Sequence, residues 1–264
     1  MIESMLQVRD IHKQFGGIKA LNGFSFQVVK GSIVGLIGPN GSGKSTLFNI
    51  ISGFLKADSG QVLFKNRNIT GRPPYKIAQS GLVRSFQISK APEKMTVLEN
   101  MLLACDQQIG ETVLQGLFKI KSICKQEQMN LKRAFFYLDF VGIKHLANEY
   151  AANLSGGQRK LLSLARILIR EPEMVLLDEP TAGVNPTLTK KFMSFLKKLR
   201  DEQGKTFLIV EHDMNFIRTV CDRVFVLDAG ELLAKGTPEQ IQKDENVLAA
   251  YLGRRALQKR TIKS

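Results

Sequence analysis

An α/β fold, in which parallel strands gather a phosphate-binding site at one edge and a helical insert interrupts them, is predicted by three observations. The first is the stretch Gly38-Pro39-Asn40-Gly41-Ser42-Gly43-Lys44-Ser45. It matches GxxxxGK[ST], a loop whose backbone N–H groups wrap the phosphates of a nucleotide while the lysine reaches the β and γ phosphates. The second is its setting: the apolar run Ile33-Val34-Gly35-Leu36-Ile37 precedes it and Thr46-Leu47-Phe48-Asn49-Ile50-Ile51 follows it, so strand, loop and helix stand in the order the motif requires. The third is a pair of later apolar runs, Met174-Val175-Leu176-Leu177 and Thr206-Phe207-Leu208-Ile209-Val210, each delivering charged residues at its end. Such runs read as buried strands, and ligands gather at the carboxyl edge of a parallel sheet.

Composition bounds the rest. With 264 residues, 44% hydrophobic and 23% charged, the chain can bury a sizeable core and is expected to form one domain, 1–264, carrying an insertion. No stretch approaches the roughly 20 apolar residues of a membrane-spanning helix, and Met1-Ile2-Glu3-Ser4 lacks the basic-then-apolar layout of a secretion signal. A cytoplasmic location is therefore expected. Cys105, Cys124 and Cys221 are scattered without a CxxC pair, which suggests neither a disulfide framework nor a zinc site. The 38 basic residues exceed the 24 acidic ones by 14, a balance that suits anionic lipid or nucleic acid. Arg254, Arg255, Lys259, Arg260 and Lys263 crowd the last turns; a solvated tail is the plainer reading of that cluster.

Taken in order, residues 6–29 read as short strands, with Phe24, Phe26 and Val28 alternating before the turn at Lys30-Gly31. Phe15 stands beside Gly16 and Gly17, where an aromatic ring can stack on a base or simply belong to the core. Gln61-Val62-Leu63-Phe64 is strand-like, Pro73-Pro74 opens a short helix, and Val83-Arg84-Ser85-Phe86-Gln87 is a further strand with Gln87 at its exit. From residue 88 the texture turns helical: Thr96-Val97-Leu98-Glu99 is a capping box, and residues 125–141 keep helical periodicity. Leu154-Ser155-Gly156-Gly157-Gln158 closes this insert, 88–158, and starts another helix that Ser155 can cap, with Gln158 three residues on. Two glycines at a helix start lower helix propensity by about 1 kcal/mol each, and they leave room for a phosphate.

The strand ending in Asp178-Glu179 delivers two acids, costly to bury without a task. Asp178 is placed to hold Mg²⁺ with the Ser45 hydroxyl, and Glu179 to orient or deprotonate a water. Pro186 sits at a first helical position after Asn185, and that helix stops at Gly204. The strand over residues 206–210 ends in Glu211-His212-Asp213, so His212 leaves the sheet at the same edge as Gln87 and Asp178. Helix and hairpin then alternate to a last capped helix at Thr237-Pro238-Glu239.

A phosphate loop, an exit-strand glutamine, LSGGQ, a strand ending in Asp-Glu and a later strand ending in histidine occur here in one order. That set resembles the ATP-binding-cassette ATPases over nearly the whole chain, and LSGGQ separates them from other phosphate-loop enzymes. The resemblance implies a RecA-like phosphate-loop core (1–87 and 159–264) with an antiparallel β subdomain and a helical insert. It also implies two cassettes that sandwich two ATP molecules head to tail. By the same resemblance Phe15 stacks on adenine. Gly38, Pro39, Asn40, Gly41, Ser42, Gly43, Lys44, Ser45 and Thr46 cradle the phosphates. Ser45, Gln87 and Asp178 hold Mg²⁺, Glu179 is the catalytic carboxylate, Gln87 senses metal and water, and His212 contacts the γ-phosphate. Ser155, Gly156, Gly157 and Gln158 complete the site of the other cassette.

Finer matches point inside the family. Met95-Thr96-Val97-Leu98-Glu99-Asn100, Glu179-Pro180-Thr181-Ala182-Gly183-Val184-Asn185-Pro186, Val210-Glu211-His212-Asp213-Met214 and Ala250-Tyr251-Leu252-Gly253 resemble the ATP-binding subunits of branched-chain amino-acid importers. Urea importers and lipopolysaccharide exporters share parts of this pattern. Two departures stand out: Asn185 replaces the aspartate of most cassettes, and residues 88–92 lack a Leu-Phe pair. The resemblance implies a second cassette, of a related chain or another copy, separate transmembrane permease subunits, an extracytoplasmic binding protein acting indirectly, and a peripheral place on the cytoplasmic face of the inner membrane. The contrasting expectation is a soluble cassette acting on nucleic acid or ribosomes, which the charge permits; such proteins carry paired cassettes, coiled coils or zinc insertions, and none is seen here.

Overall fold

The computed structural model describes residues 3–85, 91–105 and 120–251. Gln87 and the basic segment from residue 254 lie outside them. The chain divides into two compact units: one takes the segments up to Arg84, Glu173–Thr181 and those from Leu196 on, the other Ser85–Pro172 with Ala182–Phe195.

The first unit holds two sheets. In one, β1 (Ser4–Phe15), β2 (Ile18–Val29), β4 (Ser59–Phe64) and β5 (Arg67–Asn68) pair antiparallel in the order β2-β1-β4-β5. Where the sequence predicts several short strands, two strands of 12 residues form one long hairpin. The reason is visible in the register, which shifts between Val8 and Ile11 and again between Lys13 and Gln14. Each extra residue resets the inward–outward alternation, so one strand reads as fragments. Over residues 24–28, where β2 itself carries no extra residue, the pattern holds: Phe24, Phe26 and Val28 are all buried.

The second sheet runs β10 (Glu231–Gly236), β9 (Arg223–Asp228), β3 (Ile33–Ile37), β8 (Thr206–Val210), β7 (Met174–Asp178), β6 (Leu82–Arg84). All its pairings are parallel except that of the edge strand β10. Every residue of β3, β7 and β8 is buried, as parallel strands covered on both faces require, and this is why their sequences are unbroken apolar runs. Because β3, β8 and β7 are neighbours, the segments that follow Ile37, Val210 and Asp178 emerge side by side. Helix α1 (Lys44–Ile51) buries Leu47, Phe48, Ile50 and Ile51 in the core that these strands share with Phe24, Phe26 and Phe64. Three short helices, α2 (Pro74–Gln79), α7 (Met214–Val220) and α8 (Pro238–Lys243), and a helical segment over residues 245–251 also belong to this unit.

The second unit is helical: α3 (Val97–Leu103), α4 (Ile120–Phe140), α5 (Gly156–Leu168) and the beginning of α6 (Pro186–Gln203). Thr96 and Glu99 form a reciprocal cap at α3. The Asn100 side chain donates to the carbonyls of Thr96 at 2.9 Å and Pro92 at 3.1 Å, which pins the segment leading into the helix. On α5 the buried Leu161, Leu164, Ala165 and Leu168 recur at i, i+3, i+4 and i+7, a single apolar stripe that packs on α3 and α4.

Candidate functional site

At the carboxyl edge of the second sheet a cavity of about 570 Å³ is lined by Asn40, Gly41, Gly43, Lys44, Ser45 and Thr46 of the loop, with Glu179, Val210 and His212 from the two neighbouring strand ends. Local chemistry explains the loop's form. Gly38 and Gly43 have φ of +154° and +111°, and a Cβ on them would fall 2.0 Å from the Leu227 carbonyl oxygen and 2.4 Å from that of Ala20. Backbone, which cannot swing aside, occupies both places, so glycine is demanded by approach as well as by dihedral angle. Lys44 is only 7% exposed, and its ammonium donates to the carbonyls of Gly38 and Pro39, both at 2.8 Å. The loop's own oxygens thus hold the cation. Ser42 is fully buried, and its carbonyl accepts the Gly230 N–H at 3.0 Å, tying the loop to the β9–β10 turn.

Asp178 ends β7 and is 8% exposed. Its carboxylate accepts a hydrogen bond from Arg84 at 2.8 Å, while the other terminal nitrogen of that guanidinium donates to Asn49 at 2.7 Å and Ser52 at 3.2 Å. Ser45, Asn49 and Ser52 stand at i, i+4 and i+7 on one face of α1 and its end, so Arg84 ties the face that carries Ser45 to the strand end that carries Asp178. Glu179 takes the left-handed conformation, φ +45°, rare for a side-chain-bearing residue. Its N–H donates to the Val210 carbonyl at 2.9 Å. The His212 ring nitrogen Nε2 lies 3.0 Å from its Oε1. A carboxylate and an imidazole therefore meet at the mouth of a cavity floored by a lysine and helix N–H groups, an arrangement suited to moving a proton beside a phosphate.

The structure does not bring every predicted residue into this cavity. Phe15 is 49% exposed at the end of β1, with the Lys13 ammonium 5.5 Å from its ring centre. From this hairpin Ile18, Lys19 and Ala20 line the cavity, and Ile18 pairs with Phe15 across the turn. Ser155, Gly156, Gly157 and Gln158 belong to the second unit. There the Ser155 hydroxyl accepts from the Gln158 N–H at 3.3 Å and the Gln158 side chain accepts from the Ser155 N–H at 2.8 Å. Gly156 faces open space, whereas a Cβ on Gly157 would come 2.4 Å from Leu188 Cδ2, the end of a side chain that can turn aside. Asn185 accepts from the Leu188 N–H at 2.9 Å; it caps α6 as an aspartate would, which accounts for the exchange of one for the other.

Comparison with known proteins decides the family. The ABC transporter model matches residues 21–182, and a second model, branched-chain amino acid ATP-binding cassette transporter, matches residues 231–256. The chain belongs to the branched-chain amino-acid group of ABC transporter ATP-binding proteins. Its activity class is that of an ABC transporter ATPase. This cassette is 39% identical to the high-affinity branched-chain amino acid transport ATP-binding protein LivG of Escherichia coli K12, over 96% of the chain and 99% of the relative. It is 42% identical to a probable LivG of Methanocaldococcus jannaschii over 94% and 97%. Among solved structures, the ADP conformation of an ABC transporter cassette superposes with a TM-score of 0.82 at 41% identity, covering 95% of this chain and 99% of that one. A dimeric cassette bound to ADP and phosphate after hydrolysis superposes at 0.73 with 28% identity, covering 89% and 99%.

Several residues of the cassette escape the sequence reading, Arg84 and Ile18 among them. Tyr251, inside the segment matched by the second model, reaches the phosphate loop: burial pushes its phenol pKa up, a hydrogen bond with the backbone of Gly38 acts the other way, and the charge of Asp228 adds to the rise. Its place in Ala250-Tyr251-Leu252-Gly253 was a signal of kinship, and the contact gives that signal a physical use.

Proposed function

We propose that this cassette hydrolyses MgATP in a dimer at the cytoplasmic face of the membrane and thereby drives uptake of branched-chain amino acids through separate membrane-spanning subunits. The observation that carries the reading is the Glu179–His212 pair at the mouth of the Lys44 cavity, in a chain whose residues 231–256 match the branched-chain amino-acid model. Among the described residues no helix is long and apolar enough to cross a membrane; in this reading the separate membrane-spanning subunits supply the translocation path.

Each residue has a task in this reading. The loop from Gly38 to Thr46 binds the phosphates, Lys44 neutralises them, and Glu179 takes the proton of the attacking water as the bond from the γ-phosphorus to ADP breaks. His212 donates to the γ-phosphate, and Gln87 reports on the water. Phe15, exposed, offers a face to adenine. Mg²⁺ keeps most of its waters and takes one or two protein oxygens beside the phosphates; the Ser45 hydroxyl on the cavity wall and the buried Asp178 carboxylate suit that demand. Bound there, the ion would neutralise charge on the terminal phosphates. Ser155, Gly156, Gly157 and Gln158 serve the nucleotide of the partner cassette. Exposed Leu103, Met129, Phe136 and Tyr150 give the helical unit apolar surface for permease segments.

The test is to tag the full chain in its native cell, solubilise the membranes gently, identify what co-purifies, and reconstitute the complex in vesicles. Recovery of multi-spanning subunits with a second cassette, and ATP-dependent entry of leucine, is expected. Entry of urea but not leucine would overturn the substrate. Recovery of ribosomes or nucleic acid without membrane proteins would overturn the transport reading.

A further inference from the structure

Glu211 is 4% exposed and has no part in the roles above. Its carboxylate accepts three hydrogen bonds: Oε1 from the Thr181 N–H at 2.9 Å and from the Thr181 hydroxyl at 2.5 Å, and Oε2 from the His212 N–H at 3.0 Å. A buried carboxylate is tolerated when its lone pairs are filled in this way. The consequence is geometric. The strand ends after β7 and β8 are joined three times over: by the Glu179 N–H on the Val210 carbonyl, by Glu211 on Thr181, and by His212 on Glu179. Glu179 sits inside that ring with a φ of +45°, a conformation that persists only where the surroundings impose it.

We propose that Glu211 is a positioning residue for hydrolysis: it holds Thr181 on one side and His212 on the other, so that the Glu179 carboxylate and the His212 imidazole face the same point without Glu211 touching nucleotide. The proposal rests on the reading of Glu179 and His212 as the groups acting at the γ-phosphate. It also explains why the position takes glutamate. Three donors converge on its two oxygens, and an amide in either orientation turns an NH₂ toward at least one of them.

The experiment uses the full chain and compares single-turnover ATP hydrolysis, nucleotide affinity and unfolding temperature. Glu211→Gln should slow hydrolysis about tenfold, equivalent to about 1.4 kcal/mol, while affinity stays near that of the parent and the unfolding temperature falls modestly, because one buried N–H loses its acceptor. Thr181→Val removes one donor and keeps the shape; it should slow hydrolysis by a smaller factor with affinity again unchanged. In a His212→Ala background, Glu211→Gln should add little, because residues acting through one another are not additive. Equal losses of affinity and rate, or full additivity with His212→Ala, would mean a merely structural role and overturn the proposal. Glu179→Gln run alongside separates the failures: parental turnover in that variant sinks the reading of the site, whereas an inactive Glu179→Gln beside a fully active Glu211→Gln sinks the role of Glu211 alone.

Discussion

Two helix beginnings in this chain carry glycine where the sequence points to phosphate, and they are built in opposite ways. At α1 the start is enclosed: Gly38 and Gly43 press on the carbonyls of Leu227 and Ala20, Ser42 is fully buried, and Lys44 is held inside the loop by two carbonyl oxygens. At α5 the start is open: Ser155 and Gln158 satisfy each other's backbone donors, and Gly156 has no atom within 4 Å of where its Cβ would be. The enclosure makes Gly38 and Gly43 indispensable to the loop's own fold. The open start leaves Gly156 free of internal constraint, so any requirement for glycine there is set by what approaches from outside the chain. The difference fits the proposed division of labour, in which α1 binds this chain's nucleotide and α5 completes the site of another.

The largest effect should come from Glu179→Gln, which removes the proposed proton acceptor and leaves both helix starts intact. Hydrolysis should fall by about 10²–10⁴-fold, the usual weight of a general base. Nucleotide should stay bound, and a dimer should appear on size exclusion in the presence of ATP. A monomer under those conditions would break the comparison, because α5 would then have nothing to complete.

Arg84→Ala tests what supports the enclosed side. The Arg84–Asp178 pair is nearly buried, with side chains 10% and 7% exposed, and removing one partner of such a pair costs about 3–5 kcal/mol. A clear fall in the denaturant midpoint is expected, larger than for Lys13→Ala, whose partner Asp58 lies at the surface. Lys44→Ala comes next: losing a charge-assisted contact to phosphate, worth about 1.5–3 kcal/mol, should weaken nucleotide binding roughly 10- to 100-fold by direct titration. Gly156→Ala makes the sharpest contrast with it. Alanine is the better helix former by about 1 kcal/mol, so stability and monomer affinity should hold or rise slightly, while ATP-driven dimerisation in the Glu179→Gln background falls. If dimerisation is untouched, Gly156 does not meet a phosphate.

Much of this could be read from the chain because it is local. The phosphate loop, the capping pairs Thr96–Glu99 and Ser155–Gln158, and the buried strand ending in Asp178-Glu179 each declare themselves within about ten residues, where periodicity and capping rules operate. What stayed hidden joins distant segments. Arg84 finds Asp178 across 94 positions and Thr181 finds Glu211 across 30; nothing in the spacing of an arginine after an apolar pair, or of a glutamate before a histidine, says where its partner is. The hairpin of β1 and β2 was obscured for another reason, since its bulges broke the alternation that marks a long strand. The start of β2 was missed for the same reason: Ile18, Lys19 and Ala20 line the cavity, and their place beside it follows from a pairing with β1 that the broken alternation concealed.

The smallest expected effect concerns Cys221, and it probes whether the enclosed side stays closed. Burial pushes the Cys221 thiol well above the usual range, with the charges of Asp222 and Glu211 adding to the rise. The thiolate is the reactive form, so at pH 8 the native protein should leave this residue unmodified by an alkylating reagent, and ATPase activity should not change. Its sulfur lies 3.2 Å from where a Cβ on Gly35 would be, beneath the strand β3 that leads into the phosphate loop. Labelling of Cys221, followed by mass spectrometry of its peptide, therefore reports opening of that strand. It should be slow in the parent, faster in Arg84→Ala, and unaltered in Gly156→Ala. Rapid labelling of Cys221 in the native parent would show that the site at α1 opens as readily as the one at α5 lies exposed, and the distinction between them would collapse.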